Sequence, residues 1–157
     1  MLKLIKCEFL KLKRKKFIPL IILAAFLFPI PLTYLMTTPS MMERYTDRAD
    51  AFDGLFNMVL GYGIQFLLPC IIGVIAAILF FMERDNDTFK NLRTIPVTST
   101  QMVLAKIIVL FLFGIVFCVA STIATILCGF GTLEVYGIGY KLFLAVETGI
   151  FITAGTL

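Results

Sequence analysis

Four long apolar stretches, separated by polar segments, run through the 157 residues of this chain. A helix needs about 20 apolar residues to cross the roughly 30 Å hydrocarbon core of a membrane. The first three stretches, 17–36, 55–82 and 102–128, meet this length and predict transmembrane helices. The fourth, 142–157, would give about 24 Å of helix and predicts a partial fourth span. We therefore expect an all-α membrane protein, and we expect this chain to be a fragment of a longer one.

The segment 1–16 has a different pattern, because its apolar residues recur at helical spacing. Leu2, Ile5, Phe9 and Leu12 form one stripe, and basic residues flank it. This pattern predicts an amphipathic helix that lies along the membrane surface, and the alternative is a simple basic flank of the first span. The side chains predicted to contact lipid headgroups are Lys3, Lys6, Lys11, Lys13, Arg14, Lys15 and Lys16.

Prolines and small residues modify the predicted spans. Pro29 and Pro31 lie near the end of the first stretch, where they predict a kink or a frayed end. Gly73 and Ala77 are four residues apart in the second stretch, a spacing that allows another helix to approach closely.

Composition excludes an ordinary soluble domain. Hydrophobic residues make up 60% of the chain and charged residues 15%, against about 45–50% and about 25% in soluble domains. The net charge is +4, and seven of the 14 Lys and Arg residues lie in the first 16 positions. In a chain this apolar, that basic start predicts attraction to anionic lipid headgroups and not to nucleic acid.

The distribution of Lys and Arg also predicts an orientation in the membrane. Seven lie in 1–16 and four in 83–106, whereas the other polar segments together hold three. Cytoplasmic segments carry the excess of basic residues, so we expect the N-terminus and the loop 83–101 in the cytoplasm. The segments 37–54 and 129–141 are then loops on the outer side.

The polar segment 83–101 has more local structure than a plain connector. Asn86 and Asp87 are good N-cap residues, and Thr88 to Thr94 predicts about two turns of helix before Pro96 ends it. Thr98 and Gln101 form a capping box at the start of the next span. The segment thus predicts a short helix in a defined orientation on the cytoplasmic side.

Phe89 and Leu92, three residues apart, share one face of that short helix. An exposed apolar pair of this kind suits docking into a groove of a cytoplasmic protein. The alternative is that both side chains rest on the membrane surface.

A spaced set of residues carries a family resemblance. The pattern E-x4-T-x3-L-x3-P-x9-K is met by Glu83, Thr88, Leu92, Pro96 and Lys106. It resembles the first cytoplasmic loop of type-2 ABC exporter permeases, and the basic N-terminal segment resembles their interfacial elbow helix. As a layout the whole chain is most similar to the permeases of lantibiotic and bacitracin self-protection exporters.

The resemblance implies a permease subunit of an ATP-driven exporter in the bacterial plasma membrane, moving an antimicrobial peptide or a similar amphipathic compound. Implied partners are a cytoplasmic ATPase, which would bind ATP and magnesium, and a second permease copy or a sister subunit. Lys106 would anchor the third span at the headgroups. The residues that would couple the short helix to the ATPase are Glu83, Asp87, Thr88, Phe89, Leu92 and Pro96.

Motifs for catalysis are absent from the sequence. It has no histidine, no G-x-x-x-x-G-K-[ST] phosphate loop and no G-x-S-x-G. We therefore expect neither an enzyme nor a cofactor bound by this chain. The four cysteines form no C-x-x-C pair, so we expect no metal site or disulfide and read them as small apolar residues.

Polar residues inside the apolar stretches are candidates for a substrate path, namely Glu147, Gln65 and Ser121. Glu147 is an acid in an apolar run, where a charge costs about 2.5–3.5 kcal/mol on insertion scales. It could face a substrate or carry a proton, so a proton-coupled transporter is one alternative function. A small membrane immunity or assembly protein without transport is another.

Overall fold

The computed structural model describes residues 2–13, 17–85 and 99–156. Within these ranges the regular structure is entirely helical, which confirms the predicted all-α class. The helices are α1 (Leu2–Lys13), α2 (Phe17–Leu27), α3 (Pro29–Met36), α4 (Pro39–Met42), α5 (Arg48–Met58), a π-helical segment (Val59–Leu67), α6 (Leu68–Asp85), α7 (Ser99–Gly129) and α8 (Ile138–Thr156).

Among the residues that the structure describes, three helical stretches are long and apolar enough to cross a membrane. They are Arg48–Phe81, Thr100–Gly129 and Ile138–Thr156, and a shorter apolar stretch covers Ile21–Met36. The first of them joins α5, the π-helical segment and α6 without a break. These lengths and compositions agree with the predicted integral membrane protein.

The first apolar stretch is interrupted at Phe28, next to the prolines that predict a kink or a frayed end. Helix α2 ends at Leu27 and α3 begins at Pro29. Pro29 has no N–H to donate to the preceding turn, whereas the N–H of Phe28 still bonds the carbonyl of Ala24 at 3.0 Å. The interruption therefore follows from the chemistry of one residue.

The segment predicted as the loop 37–54 contains helix α4 and the first two turns of α5. Ala51, Phe52 and Leu55 form a buried face of α5. They pack with Met36 and Ile126, which belong to α3 and α7. Tertiary burial stabilises this helix although acidic residues interrupt its apolar pattern.

The π-helical segment lies where glycine and proline weaken the α-helical pattern. It contains Gly61 and Gly63, and Pro69 follows it. Pro69 cannot donate a backbone hydrogen bond, and its ring crowds the carbonyl four residues earlier. The N–H of Leu68 bonds the carbonyl of Gly63, five residues back, as the wider π turn requires.

Helix α7 is central to the bundle and packs against α1, α2, α3, α6 and α8. Its contact with α8 is close because each helix offers a glycine to the other. Thr153 of α8 lies against Gly114, and Cys118 of α7 lies against Gly149. Cys118 is buried and forms no disulfide with another described cysteine, and it packs as a small apolar residue.

Gly73, by contrast, has open space on its side-chain face among the described residues. Among the described residues no helix packs closely on Gly73, and the close helix contact lies between α7 and α8.

The short coupling helix predicted at 88–94, the N-cap residues before it and the capping residue Thr98 lie outside the described residues. Arg14, Lys15 and Lys16 lie outside them as well.

Candidate functional site at the distal end of the bundle

The end of the bundle where α7 ends and α8 begins is called the distal end here, and it contains residues 129–141. Gly137, with a φ of +62°, turns the chain before α8. Its carbonyl accepts the N–H of Lys141 at 3.0 Å, so Lys141 lies in the first turn of the helix. Lys141 is buried, with 5% of the whole residue exposed. A lysine is rarely buried without a partner.

The partner of Lys141 is Asp53 on α5. Lys141 Nζ lies 2.5 Å from Asp53 Oδ1. The hydroxyl of Tyr136 donates a hydrogen bond to the other oxygen of the same carboxylate. Lys141 Nζ also donates to the carbonyl oxygen of Tyr136 at 3.2 Å. The three residues thus form a closed, charge-neutral cluster that joins α5 to the start of α8.

Aromatic rings surround the lysine ammonium. Lys141 Nζ lies 4.0 Å from the ring centroid of Tyr136, 4.9 Å from that of Phe52 and 5.9 Å from that of Phe56. A cation within about 6 Å of a ring face is attracted by the ring quadrupole. Because Phe52, Asp53 and Phe56 lie within one turn of α5, a single helix face supplies both the carboxylate and two of the rings.

The cluster keeps Tyr136 protonated. The hydrogen bond from its hydroxyl to Asp53 raises the pKa of Tyr136 above the usual value, with smaller contributions from desolvation and from the charges of Asp53 and Asp50. Tyr136 is therefore a neutral donor throughout the physiological pH range.

A pocket of about 300 Å³ opens beside the ion pair. Asn57 and two tyrosines provide polar groups at its wall, and apolar side chains complete it. Its lining residues are Asp53, Phe56, Asn57, Tyr136, Gly137, Tyr140, Lys141 and Leu144. A concave site with a few polar groups on an apolar wall is typical of ligand pockets.

The three residues predicted for a substrate path lie in different surroundings. Glu147 is exposed on α8 beside an apolar groove of about 310 Å³ that Phe143 and Phe151 help to line. Gln65 is exposed on the π-helical segment, whereas Ser121 is buried within α7. Neither Gln65 nor Ser121 lines the groove beside Glu147.

Lys106, predicted as a headgroup anchor, has a buried side chain with 3% exposure. Its ammonium lies 4.4 Å from the ring centroid of Phe80 on α6. Lys6 is exposed on α1. Ile5, on the predicted apolar stripe, packs against the buried apolar core that α2, α6 and α7 share. Phe9 of the same stripe is exposed.

Sequence reasoning missed the cluster of Asp53, Tyr136 and Lys141, because it used Lys141 only to count charges on each side of the membrane. The sequence pattern gave only a weak signal, because it placed Lys141 in the outer loop, one residue before the apolar stretch 142–157. The structure starts the helix at Ile138 and so puts Lys141 inside its first turn. The sequence contains several outer acids, and only the fold selects Asp53 among them.

Within the described ranges, no group of three or more His, Cys, Asp or Glu side chains is placed to hold a metal ion.

Comparison with known proteins gives one result. A protein-family model described as "ABC-2 family transporter protein" matches residues 4–157. No curated protein and no solved structure matches the chain.

Proposed function

Because the chain belongs to the ABC-2 transporter family, we propose that it is the permease subunit of an ATP-driven exporter for an antimicrobial peptide or a similar amphipathic compound. The observation that carries this proposal is the family match over residues 4–157, together with three helices in the described part of the chain that are long and apolar enough to cross a membrane. The permease role in an ABC transporter follows from the family. Export, its energy source and its substrate are the proposed part.

The proposed energy source is ATP hydrolysis in a separate cytoplasmic subunit, since this sequence has no phosphate loop. That ATPase would bind ATP and magnesium and would push on the short helix within 83–101. Phe89 and Leu92 are the proposed apolar contacts, and Pro96 sets the angle of the helix. Glu83, Asp87 and Thr88 complete the proposed coupling set.

The proposed orientation puts the N-terminus and 83–101 in the bacterial cytoplasm. Eleven of the 14 Lys and Arg residues lie in 1–16 and 83–106, which supports it. The distal end of the bundle then faces outward. A second permease copy, or a sister subunit, would complete the translocation unit, and Lys106 would lie near the inner headgroups.

The coupling proposal is tested by co-purification with the ATPase encoded beside this chain. Phe89→Glu or Leu92→Glu should reduce recovery of the ATPase at least about tenfold, because each puts a charge into an apolar contact. Asn91→Glu is the matched control, since position 91 lies on another face of the same predicted helix. Unchanged recovery with both Phe89→Glu and Leu92→Glu would contradict the proposal.

The substrate proposal is tested in cells that express the full transporter. Cells with an active ATPase should tolerate a cationic amphipathic peptide better than cells whose ATPase has lost its phosphate-loop lysine. Equal sensitivity of the two strains to a panel of such peptides would contradict export of this class. It would leave the ABC permease assignment intact.

A further inference from the structure

We infer that the distal pocket is a binding site for an aliphatic primary ammonium group carried on an apolar body. The inference goes beyond the transport proposal, because it concerns binding by this chain alone. It rests on the cage around Lys141, on the charge of the distal end and on the position of the pocket along α8.

The surroundings of Lys141 show which chemical group this site accommodates. Lys141 is an alkyl ammonium, and the fold surrounds it with a carboxylate and three aromatic rings. The pocket continues this surface outward, since Tyr136 and Tyr140 line it and the ring of Tyr140 is 70% exposed. An aromatic face attracts a ligand cation placed over it, so two tyrosine rings in the lining suit an ammonium group.

The charge of the distal end favours a cation over an anion. Residues 37–53 and 129–141 contain five acidic and three basic side chains, a net charge of −2. Asp53 already neutralises Lys141, so the ion pair inside the pocket does not repel an incoming cation. The side chains counted are Glu43, Asp47, Asp50, Asp53 and Glu134, and Arg44, Arg48 and Lys141.

Asp50 is the proposed counter-charge for the ligand. It lies three residues before Asp53 on α5, so the two side chains lie on neighbouring positions of the same helix face. Asp50 is exposed and does not line the pocket. Its negative charge contributes to raising the pKa of Tyr136, which lines the pocket, and this supports an attraction on a cation bound there.

The position of the pocket at the start of α8 accounts for the apolar part of the proposed ligand. Leu144 and Phe56 line the pocket, and α8 continues from it as a helix apolar enough to cross a membrane. A ligand can place its ammonium among the polar groups at the start of α8 while its apolar part stays in the hydrocarbon region. An amine attached to a long alkyl chain meets both requirements.

Two sources carry this chemistry, the ethanolamine headgroup of a membrane lipid and a free amphipathic amine. The first test uses the full chain in dodecyl maltoside micelles, titrated with octylamine and, separately, with octyl sulfate. The chain has five tyrosines and no tryptophan, so its fluorescence is free of indole emission and comes from Tyr136, Tyr140 and three other tyrosines. We expect a saturable change with octylamine and none with octyl sulfate.

Variants assign that signal to the pocket. Asp50→Asn and Tyr140→Leu should each weaken octylamine binding about two- to fivefold, the effect of one exposed charge or ring contact. Glu134→Gln is the matched control for Asp50→Asn, because it removes the same charge from an exposed acid of the distal end that lies outside α5 and is not among the charges that act on Tyr136. The inference is overturned if octyl sulfate binds equally well, or if Asp50→Asn and Tyr140→Leu both bind octylamine like the wild type.

A second titration distinguishes the two sources. Dihexanoyl phosphatidylethanolamine should compete with octylamine if the natural ligand is a lipid headgroup, with dihexanoyl phosphatidylglycerol as the control. Octylamine binding without this competition assigns the site to a free amine, and both results support the inference. Competition by the two lipids alike shows that the site does not select ammonium and overturns it.

Discussion

The ammonium of Lys141 and the carboxylate of Asp53 form an ion pair of 2.5 Å that joins the start of α8 to α5. The two partners differ in exposure, because the side chain of Lys141 is 6% exposed and that of Asp53 is 43% exposed. The pair therefore holds two helices together at the distal end while one of its charges remains in contact with solvent.

This asymmetry predicts unequal effects of removing either partner. Asp53→Asn leaves a buried ammonium without its counter-ion and should destabilise the protein by about 2–4 kcal/mol. Lys141→Met leaves a carboxylate that water can solvate, and should cost less, about 1 kcal/mol. Thermal unfolding followed by circular dichroism in detergent measures both, and the double variant should recover part of the loss from Asp53→Asn. Equal destabilisation by the two single variants would contradict this arrangement.

The raised pKa of Tyr136 predicts that the stability of the protein falls at alkaline pH. Its pKa is raised above the usual value of about 10, chiefly by the hydrogen bond that it donates to Asp53. A raised pKa means that the stabilisation is fully present below about pH 10 and is lost as pH rises through the higher folded-state pKa. The difference in tyrosinate absorbance near 295 nm between the wild type and Tyr136→Phe gives the titration of Tyr136. This titration should occur above pH 10. Titration at or below that pH would argue against the hydrogen bond.

The reciprocal contact of α7 and α8 predicts that its glycines resist substitution. A Cβ at Gly149 would lie 2.2 Å from Cys118 Sγ, and a Cβ at Gly114 would lie 2.6 Å from Thr153 Oγ1. Alanine at either position should destabilise the protein by about 1–3 kcal/mol, because the two helices must move apart.

Gly73→Ala is the matched control for these glycines, since it adds a Cβ with nothing described within 4 Å. It should be neutral or stabilising by up to about 1 kcal/mol through helix propensity. Adding Cys118→Ala to Gly149→Ala should relieve part of the clash. If Gly149→Ala has the same unfolding temperature as Gly73→Ala, the close contact between Gly149 and Cys118 is refuted.

The alternative of proton-coupled transport gives a prediction for Glu147. If ATP drives transport, a protonophore should leave the initial rate in ATP-loaded vesicles within about twofold, in the wild type and in Glu147→Gln alike. Glu147 is exposed on α8, so Glu147→Gln should fold normally. Collapse of transport with the proton gradient, even at saturating ATP, would favour the proton-coupled alternative.

The local sequence pattern predicted a structural feature where the cause of that feature lies within the same segment. The apolar lengths predicted an all-helical membrane protein, and the missing N–H of Pro29 accounts for the interruption at Phe28. The lengths of the individual helices differ from the prediction, since Ile138–Thr156 is long enough to cross a membrane and Ile21–Met36 is shorter than a full span. Pattern failed in 37–54, because Asp50 and Asp53 interrupt the apolar periodicity of α5. That helix is stabilised by Phe52 and Leu55 packing on distant elements, which no window of the sequence contains.

The sequence by itself determined the class of this protein, since apolar segments in a membrane must satisfy their backbone groups internally and therefore become helices. Only the tertiary structure decided which helices are neighbours. It selected Asp53 as the partner of Lys141, placed Cys118 against Gly149, and formed the distal pocket from α5, Tyr136 and α8. The physical reason is that charge neutralisation and close packing act between residues far apart in the chain, and hydrophobic periodicity carries no information about such pairs.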